Sequence, residues 1–169
     1  SHSAPDASPV RGAWVPLFVG LYVANVMAYS VSFKHALILD VTSLALGFVL
    51  RVLGGCAAGG VEPSSWLLNV VLFASMFLGF AKRLGERRTL HDSSAARAVQ
   101  AAYTHEILRI AVGLTAVATL VTYAGYVQAR GAAFTVTSGG WGFNVLWPTM
   151  IPAIYGLLRC IALVEKGTY

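Results

Sequence analysis

A chain of 169 residues that is 57% hydrophobic and only 11% charged is far more apolar than a soluble domain, which carries about 25% charged residues. Those values exclude an ordinary soluble fold and leave an all-α integral membrane protein, a single bundle of about five transmembrane helices of roughly 20 residues each. The net charge of +5 does not argue for nucleic acid, because the basic residues gather in short stretches between apolar runs, the pattern that sets membrane topology.

Residues 1–13, "SHSAPDASPVRGA", are polar and unpatterned and read as a disordered lead-in. They lack the basic start and cleavage pattern of a signal peptide. Five apolar runs follow, at about 14–29, 36–54, 66–81, 103–126 and 141–164, with residues 165–169 as a short tail. All five are expected to be helical, because a backbone in lipid must satisfy its own hydrogen bonds. Lys34 and His35 follow the first run, and Lys82, Arg83, Arg87, Arg88 and Arg97 follow the third. The stretches after the second and fourth runs carry no positive residue and only Arg130, respectively. Basic connections face the cytoplasm, so the amino terminus is expected outside and the carboxyl terminus in the cytoplasm, in a bacterial inner membrane. Trp14, Trp66 and Trp141 then share the outer interface. Cys56 falls near the outer end of the second run and Cys160 near the inner end of the fifth, separated by most of a bilayer and so too far apart for a disulfide, and neither has a metal-type spacing.

The second run carries two charges, Asp40 and Arg51. They are 11 positions apart, about 20° from three whole helical turns and roughly 16 Å along the axis. Ser43, Gly47 and Gly54 share that face, so one side of the helix is small and polar, suited to packing against another helix or to lining a cavity. Tyr29, Lys34 and His35 stand close to Asp40 in the chain, which makes a cationic, hydrogen-bonding pocket the sharper reading. In "AKRLGERRTLHDSSAARAVQAAYTHEILR", Lys82, Arg83, Glu86, Tyr103, His105, Glu106 and Arg109 form either a basic loop against anionic lipid heads or a phosphate site built on charge-assisted hydrogen bonds. Walker loops, zinc-ligand spacings and nucleophile triads are absent from the sequence.

Taken in order, "YSVSFKHALILD", "GFVLRVLGG", "AKRLGE", "YTHEIL" and "IPAIYGLLRCIALV" resemble the UbiA superfamily of membrane prenyltransferases, in its decaprenyl-phosphate phosphoribosyltransferase branch. The resemblance implies a partial UbiA-type fold matching the fourth to eighth of the family's usual nine helices. It assigns Tyr29, Lys34 and Asp40 to the polar approach to the fifth family helix, Arg51 to a later arginine, and Lys82, Arg83 and Glu86 to the second motif region. The implied activity is transfer of a phosphoribosyl group to a polyprenyl phosphate, with magnesium on the leaving pyrophosphate. The family's Asn-Asp-x-x-Asp-x-x-x-Asp motif does not occur in these 169 residues, whose only aspartates are Asp6, Asp40 and Asp92. Two expectations follow. The chain is a catalytically inactive, lipid-binding subunit of a larger membrane complex, its cavity holding a prenyl phosphate, a quinone or pigment tail, or a partner helix; alternatively, it is the carboxyl-terminal part of an enzyme whose magnesium-binding motif lies on another chain. No residue of this chain is assigned a catalytic or metal-binding role.

Overall fold

The computed structural model describes residues 9–31, 37–89, 95–138 and 141–166. They form α1 (Pro9–Val31), α2 (Leu37–Gly59), α3 (Ser65–Thr89), α4 (Ala95–Ala129), a one-turn α5 (Gly131–Phe134), strands β1 (Thr135–Ser138) and β2 (Trp141–Asn144), a 3-10 turn (Trp147–Thr149) and α6 (Met150–Lys166). Four stretches are long and apolar enough to cross a membrane: Ile38–Gly59, Ser65–Glu86, His105–Ala129 and Trp147–Lys166. The apolar part of α1, Trp14–Ser30, is shorter. The protein is an all-α integral membrane protein with one small hairpin.

Three elements differ from the sequence reading. Helix α1 takes in residues 9–13, assigned above to the lead-in; it opens on Pro9, whose fixed φ and missing N–H suit a first helical position. Helix α4 starts at Ala95 rather than near Tyr103, since "AARAVQAA" is rich in the strongest helix former. The last apolar run is not helical from its start. Trp141–Asn144 pairs with Thr135–Ser138 as an antiparallel ribbon, favoured by alternating Thr, Val, Trp and Phe around the sequence pair Gly139-Gly140. Pro148 then opens the turn that leads into α6.

The chain divides into two compact units, one reaching Leu72 and the other starting at Phe73. In the first, α1 and α2 pack as an antiparallel hairpin. Helix α2 closes at Gly60, whose φ of 66° is left-handed and costs least without a Cβ. Around it the Val61 N–H donates to the Cys56 carbonyl at 2.9 Å and the Gly60 N–H to the Ala57 carbonyl at 3.4 Å, the pair of bonds that satisfies a helix's last carbonyls. Helix α3 begins with the Leu68 N–H donating to the Ser64 carbonyl at 3.1 Å, which places Ser64 at the cap position. Val41, Ala45 and Leu50 are the buried apolar side chains of the first unit.

In the second unit the buried set is Phe77, Phe80, Ala81, Leu84, Leu108, Val112, Ala116, Val127 and Val164. Thr115 and Thr119 are buried with them. Their hydroxyls donate to the carbonyls of Ala111 and Thr115, each at 2.7 Å, so a polar side chain within an apolar span keeps its hydrogen bond inside its own helix. At one end of α4 the Tyr123 hydroxyl lies 2.7 Å from Thr149 Oγ1. Near the start of its apolar stretch, which opens at His105, Arg109 Nε lies 3.2 Å from Glu165 of α6. Cys56 and Cys160 are both free thiols.

Gly47 is buried on α2 facing α1, and a Cβ there would lie 3.6 Å from both Asn25 Nδ2 and Tyr22 Cε2. That is ordinary contact distance, so Gly47→Ala is tolerated, whereas Gly47→Leu overpacks the hairpin and costs about 1–3 kcal/mol. Unfolding of the two variants in mixed micelles, followed by circular dichroism, checks the difference.

Candidate functional site

The stripe read on α2 meets a complementary stripe on α1. Phe18, Tyr22, Asn25 and Tyr29 recur at spacings of four, three and four, which keeps them on one face of a 3.6-residue helix. Gly54 faces Phe18, since a Cβ on the glycine would lie 3.8 Å from Phe18 Cβ. One turn further, the Arg51 guanidinium donates to the Tyr22 hydroxyl and lies over two rings, 4.9 Å from the Tyr22 centroid and 5.4 Å from that of Phe48. Cation–π attraction strengthens as such a pair is desolvated. Further along, Ser43 Oγ donates to Asn25 Oδ1 at 3.0 Å while Asn25 Nδ2 donates to the Ser43 carbonyl at 2.9 Å. The seam is therefore small side chain against large, with its polar atoms paired across it.

Asp40 continues the stripe toward the start of α2. It sits in the first helical turn and is only 4% exposed; a carboxylate near a helix amino terminus is favoured by the unpaired N–H groups there. Tyr29 is half-buried on α1. Lys34 lies outside the described residues. Tyr103 falls within α4, with only its backbone described.

In the second unit, Lys82, Arg83 and Glu86 stand together on α3. Arg83 Nη1 is 3.0 Å and Lys82 Nζ 3.7 Å from the Glu86 carboxylate, with side chains 33%, 74% and 44% exposed for Arg83, Lys82 and Glu86. Such exposed pairs contribute about 0–1 kcal/mol. Their chemical interest is different. Lys82 makes one long ion pair and carries three N–H donors, so an incoming phosphate oxygen can be bound without first breaking a strong contact. Arg109 bridges two helices, 3.5 Å from Glu106 on its own helix and 3.2 Å from Glu165 on α6. This trio borders a cleft of about 370 Å³ whose apolar lining includes Leu84, Ile110 and Ile161.

A magnesium ion would need clustered carboxylates. Among the described residues no group of three or more His, Cys, Asp or Glu side chains could hold a metal. Glu86 is engaged by two cations, and Glu106 and Glu165 flank Arg109.

Sequence reasoning found the α2 stripe and the cations of α3, and it passed over Tyr22, Asn25 and Glu165. The signal for the first two was present, an asparagine and an aromatic at helical spacing within an otherwise aliphatic run. Glu165 closes on Arg109 across 56 positions, and no local pattern carries that pairing.

Because Tyr22 supplies both a hydroxyl and a ring to Arg51, Tyr22→Phe removes the hydrogen bond and leaves the ring. A double-mutant cycle of Tyr22→Phe with Arg51→Ala, read in bilayer-embedded protein, is expected to show a coupling of about 0.6 kcal/mol, the average for side-chain hydrogen bonds between membrane helices, and no more than about 1.7 kcal/mol. Additivity would place Arg51 elsewhere than against Tyr22.

No family model matches the chain, and no solved structure matches it. Among curated proteins it is similar to the decaprenyl-phosphate phosphoribosyltransferase of Corynebacterium glutamicum, 29% identical over 92% of this chain and 46% of that protein. It is also similar to the enzymes of that name from Mycolicibacterium smegmatis, 29% identical over 89% of the chain and 48% of the relative, and from Mycobacterium tuberculosis, 28% identical over 94% and 52%. The chain spans about half the length of the curated relatives it matches. Over most of its own length the chain is similar to decaprenyl-phosphate phosphoribosyltransferases.

Proposed function

We propose that this chain contributes the phosphate-binding, cationic part of a polyprenyl-phosphate phosphoribosyltransferase-type protein, and that the magnesium-binding carboxylates of such a reaction come from outside these 169 residues. The observation that carries the reading is the extent of the similarity. It runs over 89–94% of the chain in three phosphoribosyltransferases, and therefore takes in both the α2 stripe and the α3 cations. The chemistry agrees with it. A polyprenyl phosphate offers an anionic head on a hydrocarbon tail, and Arg51, Lys82 and Arg83 offer charged donors on helices that cross a membrane. Lys34 joins them on the resemblance alone. Tyr29, Asp40, Glu86 and Tyr103 are proposed as polar residues that hold or orient these donors.

Magnesium would neutralise charge on a leaving pyrophosphate, and since the described residues hold no group for it, no step of the transfer is assigned to them. In orientation, the charge pattern supports an outside amino terminus and a cytoplasmic basic connection after α3.

A second reading is that the chain acts without catalysis, as a lipid-binding helical subunit within a larger membrane assembly. The scarcity of acids favours it: four glutamates and three aspartates in the whole sequence.

Two measurements separate these readings. Titration of the chain in nanodiscs with decaprenyl phosphate is expected to show binding that weakens about tenfold in Lys82→Ala and in Arg51→Ala, the loss of one charged hydrogen bond in each. Unchanged affinity in either variant would remove that residue from phosphate binding. Supplied with phosphoribosyl pyrophosphate and magnesium, the chain alone should give no transfer, and transfer should appear when a polypeptide bearing the aspartate motif is co-expressed. Transfer by the chain alone contradicts the proposal, and binding with no transfer in any combination favours the subunit reading.

A further inference from the structure

The β1–β2 ribbon takes no part in the phosphoribosyltransferase reading. It joins two membrane-crossing helices, His105–Ala129 on one side and Trp147–Lys166 on the other, so its level is set at the end of two spans. Its two faces differ. Val136 pairs with Phe143 and Thr135 with Asn144, and successive residues of a strand point to opposite sides. On the polar side Asn144 Nδ2 donates to the Val127 carbonyl of α4 at 2.9 Å, while the exposed Thr135 Oγ1 donates back to the Gly131 carbonyl of its own turn. The other side carries Val136 and Phe143, 59% and 54% exposed, and next to them in the chain Phe134, Val145 and Trp147 are about as open.

We propose that this ribbon is a lipid-contacting element that lies in the interfacial layer of the bilayer, its Val136–Phe143 face turned toward the acyl chains. Three observations select lipid over water or protein as the occupant. The face is continuous with the ends of two spans, so the membrane surface is already beside it. From Gly131 to Leu158 the sequence holds no Asp, Glu, Lys, Arg or His, which is unsuited to a loop standing in water. Trp141 and Trp147 are of the residue type that gathers at the headgroup level. The backbone sets the opposite limit. A two-stranded sheet has two edges of unpaired N–H and C=O groups, and these need water or headgroup partners, so the ribbon cannot sink into the hydrocarbon core.

Spin labels test the placement. In a background with Cys56 and Cys160 replaced by alanine, labels at Val136→Cys and Phe143→Cys are compared with one at the exposed Arg130→Cys, in liposomes of zwitterionic lipid. Collision rates with oxygen, which concentrates in lipid, and with a water-soluble nickel chelate are recorded. The expected result is an oxygen-to-nickel ratio severalfold higher at 136 and 143 than at 130. Equal ratios place the face in water, and low collision rates with both reagents place it under protein, a second copy or another subunit; either overturns the proposal. Should labelling disturb the ribbon, Phe143→Trp in a background whose four tryptophans are phenylalanine gives the same answer. Its fluorescence should be quenched by lipids brominated near the headgroup end of the chain, and unquenched, water-like emission counts against the ribbon's contact with lipid.

Discussion

The first unit depends on one contact, the seam in which α2 turns Ser43, Gly47, Arg51 and Gly54 against Asn25, Tyr22 and Phe18 of α1. Lipid gives two helices no hydrophobic reason to associate, so close packing and cross-helix hydrogen bonds must hold them. The sequence provides both at once. Two glycines leave room for the large α1 side chains, and the Asn25–Ser43 pair exchanges hydrogen bonds in both directions. The same seam fixes the one arginine of α2. An arginine near the end of an apolar span can snorkel to the headgroups, but Arg51 has a hydroxyl and two ring faces to hold it. A cation held in this way keeps part of its donor fork for an anion at little further entropic cost.

The second unit uses a different device. Its long helix α4 keeps Thr115, Thr119 and Thr122 bonded to its own carbonyls, so these residues demand nothing of a neighbour. Arg109 joins Glu106 and Glu165, and Lys82 and Arg83 share Glu86. The network around Arg109 spans two helices and positions them. That around Glu86 lies on one helix and leaves Lys82 open to a ligand.

The membrane class and the helical character were legible in the sequence because runs of apolar residues with few charges leave the backbone no other economical solution. The face shared by Asp40, Ser43, Gly47, Arg51 and Gly54 was legible from helical spacing alone. What that face touches was not: spacing says that a stripe is small and polar, and a cavity or a neighbouring helix satisfies it equally. Asn25 decides for the helix at Ser43. The strand at Trp141–Asn144 reads as the start of a span from sequence, because hydropathy records how apolar Trp141, Phe143 and Val145 are and not whether they alternate. A tie such as Arg109–Glu165 depends on how α4 and α6 pack, which no window of sequence contains.

The first unit rests on the α1–α2 seam, and the Asn25–Ser43 exchange tests that seam most directly. In bilayer-embedded protein, Asn25→Ala, Ser43→Ala and the double variant should form a cycle with a coupling of about 0.6–1.7 kcal/mol, with the double variant little worse than either single one. Strict additivity, or a coupling of opposite sign, would mean that α2 turns its small polar face somewhere other than toward α1.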